Sequence, residues 1–105
     1  MSNVYSLDEK RILTKAGAQK AIHAIAQDSA KVILTDHAKK RMDQRDVSID
    51  QVYRVLKSGT VNEPPIPEIR GGISAKICLK QRSDKGVCVV TVIYNDGALI
   101  IKTVI

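Results

Sequence analysis

Aromatic residues are scarce in this 105-residue chain, which has no Trp, no Phe and three Tyr. RNA recognition motifs and single-strand-binding folds stack nucleic-acid bases on aromatic side chains, so they need more such residues than this. The sequence therefore disfavours that class of module. It also predicts a core built from aliphatic side chains.

Cysteine is equally scarce. Cys78 and Cys88 are too few for a disulfide scaffold and lie outside any CxxC pair. We expect reduced thiols that pack as small hydrophobic residues, although the two cysteines flank one predicted hairpin and are possible neighbours. Together with His23 and His37 they lack the close ligand spacing of a zinc site, so we expect no metal and no cofactor.

Several functional signatures are missing as well. There is no P-loop, no GxGxxG pattern and no Ser/His/Asp order, so nucleotide hydrolysis and acyl transfer have no support. The first residues lack the basic-then-apolar layout of a signal peptide, and no apolar run approaches the roughly 18 residues of a membrane span. We therefore expect a cytoplasmic protein with no membrane partner.

Positive charge is what the chain has in excess. Lys and Arg total 17 against 11 Asp and Glu, which gives a net charge of +6. This balance favours an association with RNA or with an acidic protein, whereas the alternative is a basic domain without a polyanionic partner. The length predicts a single domain, residues 1–105.

Helical patterns occupy the first half of the chain. A capping box that begins at Ser6 predicts a first helix over residues 7–27, within an N-terminal segment 1–28. This helix either covers the sheet or presents an exposed anchor for a partner, formed by Ile12 and Ile22 or by the Ala-rich flank of residues 16–26. Residues 31–105 form the main part of the predicted domain.

Two more helices follow a short β-branched run at residues 31–34, which predicts a strand. Residues 37–45 predict a short, mostly exposed helix capped by Thr35 or Asp36. A second capping box begins at Ser48, and the helix that it starts ends at Gly59.

Strand patterns occupy the second half. After a Pro-rich loop at 63–68, residues 73–79 alternate in polarity, and residues 87–94 and 98–105 are rich in β-formers. Turn residues at 83–86 and 95–97 separate these strands. We therefore predict an α+β fold in which the helices pack on one face of an antiparallel β-meander.

A stripe of three residues on the second predicted helix has the chemistry of a phosphodiester site. His37, Arg41 and Arg45 are spaced at i, i+4 and i+8, so they share one side of a helix. Guanidinium groups bind phosphate, and an imidazole can take a proton from a ribose 2′-hydroxyl. The alternative is that His37 caps or packs at the helix start while the arginines pair with Asp36, Asp43, Asp46 or Asp50.

Further cations are candidates for a nucleic-acid surface. They lie beside the stripe and on the first strand hairpin: Lys40, Lys76, Lys80, Arg82 and Lys85. Edge-strand lysines that prevent aggregation explain Lys76 and Lys80 equally well. The run from Arg70 to Gly72 is either a backbone approach to phosphate or a plain turn.

The stripe belongs to a longer pattern that resembles a known family. The elements are a strand, His37-Ala38, Arg41-Met42, Arg45, a helix capped by Ser48, and Gly59. This order looks like the bacterial family called domain of unknown function 4258, from about Val32 to the C-terminal strands. The N-terminal helix lies outside the resemblance.

That family in turn resembles the RelE/barnase-like group of small ribonuclease toxins in its order of helices and meander. The resemblance implies metal-independent RNA cleavage, with His37 as general acid or base and Arg41 and Arg45 on the scissile phosphate. It also implies an acidic antitoxin partner that covers the stripe. The alternative is a non-catalytic module that binds nucleic acid or protein through the same stripe.

Overall fold

The computed structural model describes residues 13–79, 86–94 and 96–105, and in these residues it is an α+β fold. A short 3₁₀ turn, Ser29–Lys31, precedes the first strand. The described residues form three helices, namely α1 (Lys15–Ile25), α2 (Asp36–Arg45) and α3 (Ile49–Ser58). They also form six strands, namely β1 (Val32–Leu34), β2 (Thr60–Val61), β3 (Ile66–Pro67), β4 (Ile73–Leu79), β5 (Val87–Ile93) and β6 (Leu99–Val104).

Strands β4, β5 and β6 form the predicted antiparallel meander, but the expectation that the whole sheet is antiparallel is wrong, because the sheet is mixed. Its order is β1-β6-β5-β4-β2, with β3 also paired to β4. Strand β1 runs parallel to β6, with Ile33 opposite Ile100, and the other pairs are antiparallel. A parallel pair needs a long connection, which the two helices and the meander between β1 and β6 provide.

The prediction also missed two short strands. Strands β2 and β3 contribute two residues each, and both pair with β4. Strand β2 lies opposite Ile77 and Cys78, and β3 lies opposite Ile73 and Ser74. The expected Pro-rich loop therefore contains β3. Proline at its second position is tolerated because an edge strand does not need every backbone N–H for the ladder.

The caps of α2 and α3 agree with the sequence. The hydroxyl of Thr35 accepts a hydrogen bond from the Ala38 amide at 3.1 Å. Ser48 and Gln51 form the reciprocal capping box, at 2.7 Å and 3.2 Å. Gly59 follows α3 in an extended conformation, and it is needed for space, because a Cβ there would lie 2.5 Å from the Val55 carbonyl oxygen.

Helix α1 is shorter than predicted. It begins at Lys15 because the hydroxyl of Thr14 caps it by accepting from the Gly17 amide at 3.0 Å, and it ends at Ile25. A continuous helix over residues 7–27 is therefore wrong, since residues 13 and 14 are not helical. The predicted capping box at Ser6 lies outside the described residues.

The inner face of α1 belongs to the core. Ala18, Ile22 and Ala26 are fully buried, so Ile22 is not an exposed anchor for a partner; Ile12 lies outside the described residues. Helix α1 packs against α3 and β2. His23 is partly buried, and its Nε2 donates to the Gly59 carbonyl oxygen at 2.8 Å, so this side chain joins α1 to the end of α3.

One hydrophobic core joins all three helices to alternate residues of the sheet. Ile22, Met42 and Leu56 from the helices meet Ile77 and Ile101 from the strands. Successive strand residues point to opposite faces, so residues between these core positions lie on the other side of the sheet. We call that side the open face, and it carries Ser74, Lys76, Val90, Val92 and Ile100.

Cys78 and Cys88 form a disulfide, so the prediction of reduced thiols is wrong for this structure. They are directly opposite in the β4–β5 register, with Cα atoms 4.1 Å apart. The backbone of Cys88 hydrogen-bonds Ile105 on its other side, at 3.5 Å and 2.8 Å. The cysteines therefore form a non-hydrogen-bonded pair, the position where cross-strand side chains come closest.

The disulfide predicts a measurable dependence of stability on reductant. Reduction should lower the free energy of unfolding by about 2–3 kcal/mol, because a cross-link over this short separation restricts the unfolded chain by about that amount. Denaturant unfolding with and without dithiothreitol measures the difference. The Cys78→Ser/Cys88→Ser double variant is the control and should show no response to reductant; an equal response would contradict the cross-link.

Candidate functional site

Helix α2 positions the three residues of the predicted stripe. Its buried side is formed by Ala38 and Met42, which pack into the core against β6. His37, Arg41 and Arg45 follow one another along the neighbouring side of the helix, at successive steps of about 6 Å along its axis. The stripe is thus a row about 12 Å long at the border between the buried and solvent-facing sides of α2.

The start of α2 is fixed to the sheet. The hydroxyl of Thr35 donates to the Ile101 carbonyl oxygen at 2.8 Å, and its amide donates to the same oxygen at 3.3 Å. The same hydroxyl also caps the helix. Thr35 therefore sets the position of the first turn, in which His37 lies, relative to β6.

Arg41 has an unusual environment. The residue is partly buried, and its Nε is shielded from solvent without a hydrogen-bond partner. A buried donor without a partner normally costs about 1–3 kcal/mol. The Nε–H of Arg41 is therefore held at the border of the core with no acceptor among the described residues.

The expected alternative, pairing of the arginines with nearby aspartates, is not found among the described residues. The ion pairs in these residues are Lys76–Glu63 at 3.6 Å and Lys102–Glu68 at 2.7 Å. His37 and Arg45 are exposed. His37 does not cap α2 either, since Thr35 has that role.

The other predicted cations are not gathered around the stripe. Lys40 is exposed on α2, turned by about 100° from Arg41. Lys76 lies on the open face of the sheet and pairs with Glu63. The remaining cations of the first strand hairpin, Lys80, Arg82 and Lys85, lie outside the described residues.

The run from Arg70 to Gly72 forms the turn of the β3–β4 hairpin. The Gly71 amide donates to the Glu68 carbonyl oxygen at 3.1 Å, and the Glu68 amide donates to that of Gly72 at 3.0 Å. Gly71 and Gly72 have φ values of 95° and 82°, a conformation that favours glycine. The interpretation as a turn is confirmed.

This turn forms the wall of a cavity that the sequence analysis missed. The cavity has a volume of about 340 Å³ and lies between the turn and the open face. Its lining includes Val92, Tyr94, Ile100 and Lys102. Val92 in β5 and Tyr94, which follows the strand, share one side by the alternation of extended residues, but no local pattern in the sequence predicts that the hairpin turn lies above them.

Two features are absent from the part of the chain that the structure describes, namely a metal site and a membrane-spanning helix. No group of three or more His, Cys, Asp or Glu side chains is placed to hold a metal ion there. Among the same residues, no helix has the length and apolar character needed to cross a membrane.

The chain belongs to the family described as Domain of unknown function (DUF4258), whose model matches residues 34–105. The match includes α2 with the whole stripe, α3 and the strands β2 to β6, whereas α1 precedes it. No curated protein and no solved structure matches the chain.

The unpartnered guanidinium predicts that Arg41→Met raises stability. Methionine keeps much of the buried volume and removes the unsatisfied donor, so the free energy of unfolding should rise by about 1 kcal/mol. Arg54→Met, at an exposed position of α3, is the matched control and should change it by less than about 0.5 kcal/mol. Denaturant unfolding checks both; a loss of stability in Arg41→Met would indicate a partner for Arg41.

Proposed function

We propose that this protein is a small RNA-cleaving enzyme of the RelE/barnase-like kind, acting at the His37, Arg41 and Arg45 stripe. The order of helices before a meander supports this grouping. The net charge of +6 favours association with a polyanion such as RNA. RNA as substrate would place the protein in the cytoplasm, where the Cys78–Cys88 disulfide would face reducing thiols.

The observation that carries this proposal is the state of Arg41. Arg41 lies one turn from His37, is partly buried and has no ion pair among the described residues, so no carboxylate there neutralises its charge; the shielded Nε itself does not face solvent. Planar guanidinium groups bind phosphate through two parallel hydrogen bonds, which suits a group that must hold a phosphodiester in one orientation.

The proposed reaction needs only groups of this stripe and the RNA itself. His37 takes the proton of a ribose 2′-hydroxyl, and the resulting oxygen attacks the adjacent phosphorus. The bond from phosphorus to the 5′-oxygen breaks, and this oxygen takes the proton back from the protonated His37, which leaves a 2′,3′-cyclic phosphate and a 5′-hydroxyl end. Arg41, one turn from His37, stabilises the charge that develops on the phosphate, and Arg45 binds the scissile phosphate from the next turn.

A partner is part of this proposal. A basic ribonuclease made in its own cytoplasm must be restrained, so we propose an acidic antitoxin protein that covers the stripe. The buried inner face of α1 does not offer an anchor for it. The partner would instead contact the exposed residues of α2, where Lys40 continues the positive charge.

Cleavage of RNA by the purified protein tests the proposal. We expect activity in the presence of EDTA, with cyclic phosphate ends, and a rate about 10²–10⁴ lower in His37→Ala, the range for loss of a general acid or base. His37 is exposed, so the variant should unfold at the same denaturant concentration as the parent. Full activity in a folded His37→Ala variant would remove this residue from the mechanism.

A second candidate function is binding without cleavage. It is favoured by the exposure of His37, which has no hydrogen bond from the described residues to orient its ring. General bases are normally oriented by such a second group. The stripe would then hold RNA phosphates without reacting with them.

The salt dependence of RNA affinity tests the stripe as a surface under both candidates. Arg41→Ala or Arg45→Ala should lower the slope of log affinity against log salt by about 0.7 to 1, because each removes one phosphate contact. Lys76→Ala, on the open face and paired with Glu63, is the control and should leave the slope unchanged. Unchanged slopes in both arginine variants would show that RNA binds elsewhere.

A further inference from the structure

The cavity on the open face has a floor, a wall and charged groups of its own. Val92 and Ile100 are opposite each other in the β5–β6 register and form an apolar floor, which Tyr94 extends along β5. The turn between β3 and β4 forms the wall. We call this cavity the hairpin pocket.

The wall is fixed to the floor by a close approach at Gly72. A Cβ at this position would lie 2.7 Å from Cγ1 of Val92 and 3.3 Å from Cδ1 of Tyr94. The backbone of the turn therefore rests directly on the floor. The pocket is a preformed feature, and its shape depends on the absence of a side chain at this position.

The lining of the pocket carries three charged side chains, Glu68, Arg70 and Lys102. Nζ of Lys102 lies 2.7 Å from Oε1 of Glu68, which holds the ammonium at the wall. Arg70 is exposed in the turn and has no ion pair among the described residues. A guanidinium and an ammonium beside an apolar floor suit a ligand with a flat apolar part and an anionic group.

We propose that the hairpin pocket binds a nucleotide, with the base on Val92, Ile100 and Tyr94 and the phosphate on Arg70 and Lys102. The volume of about 340 Å³ is at the small end of the range for ligand sites, which suits a ligand no larger than a single nucleotide. An aromatic side chain accepts a base of any sequence by stacking. The positive net charge of the chain favours a phosphate over a neutral ligand.

This site is separate from the stripe. The pocket uses the open face, whereas α2 joins the core on the other side of the sheet through Ala38 and Met42. Nucleotide binding in the pocket therefore does not depend on the proposed cleavage at His37. The two proposals can fail independently.

Titration with adenosine 5′-monophosphate, followed by methyl NMR, tests the pocket. We expect shifts at Val92 and Ile100, and weaker binding of adenosine and of inorganic phosphate, because each lacks one half of the ligand. Arg70→Gln should weaken binding of the monophosphate by about ten-fold or more. Lys76→Gln, a cation on the same face outside the pocket, should leave it unchanged.

Two further variants separate the outcomes. Gly72→Ala forces the turn away from Val92 and should abolish binding. Gly71→Ala is the matched control, because it brings a similar positive-φ strain but its Cβ meets no atom within 4 Å, and it should retain binding. Shifts at Ala38 in place of Val92, equal binding of phosphate alone, or no effect of Arg70→Gln would each overturn the proposal.

Discussion

The parallel pairing of β1 with β6 is the constraint on which the rest of the structure depends. It brings the first described strand beside the last one, with Leu34 opposite Ile101. Thr35 then closes the junction, because its hydroxyl bonds both the sheet and the first turn of α2. The helix begins at the edge of the sheet and lies along β6, so its stripe has a defined position relative to the core.

Arg41 differs from its neighbours on α2 in its burial and hydrogen bonding, and this difference lowers the stability of the domain at that position. Ala38 and Met42 fill the core, and Arg45 and His37 are solvated, so each of these residues is satisfied by its surroundings. Arg41 alone has a shielded donor without a partner among the described residues. Natural proteins tolerate such local losses chiefly where function requires the residue.

Local features of the fold could be predicted from the sequence, and long-range ones could not. The caps at Thr35 and Ser48 and the three long strands follow from hydrogen bonds and polarity patterns within a few residues. The pairing of β1 and the presence of β2 and β3 depend on packing between distant segments. The start of α1 at Lys15 depends on competition between possible caps. For the site, sequence predicted that His37, Arg41 and Arg45 share a helix side, but the missing partner of Arg41 required the tertiary structure.

The bulge in β6 also left a signal in the sequence. Val90 pairs with Thr103 and Thr91 with Ile101, so Lys102 is an extra residue in the strand. Two polar residues between the buried Ile101 and Val104 are one too many for a regular ladder. Removal of residue 102 would leave every neighbour on its present face while deleting the ammonium beside Glu68. Insertion or deletion of one codon can thus add or remove this charge while the core residues keep their positions.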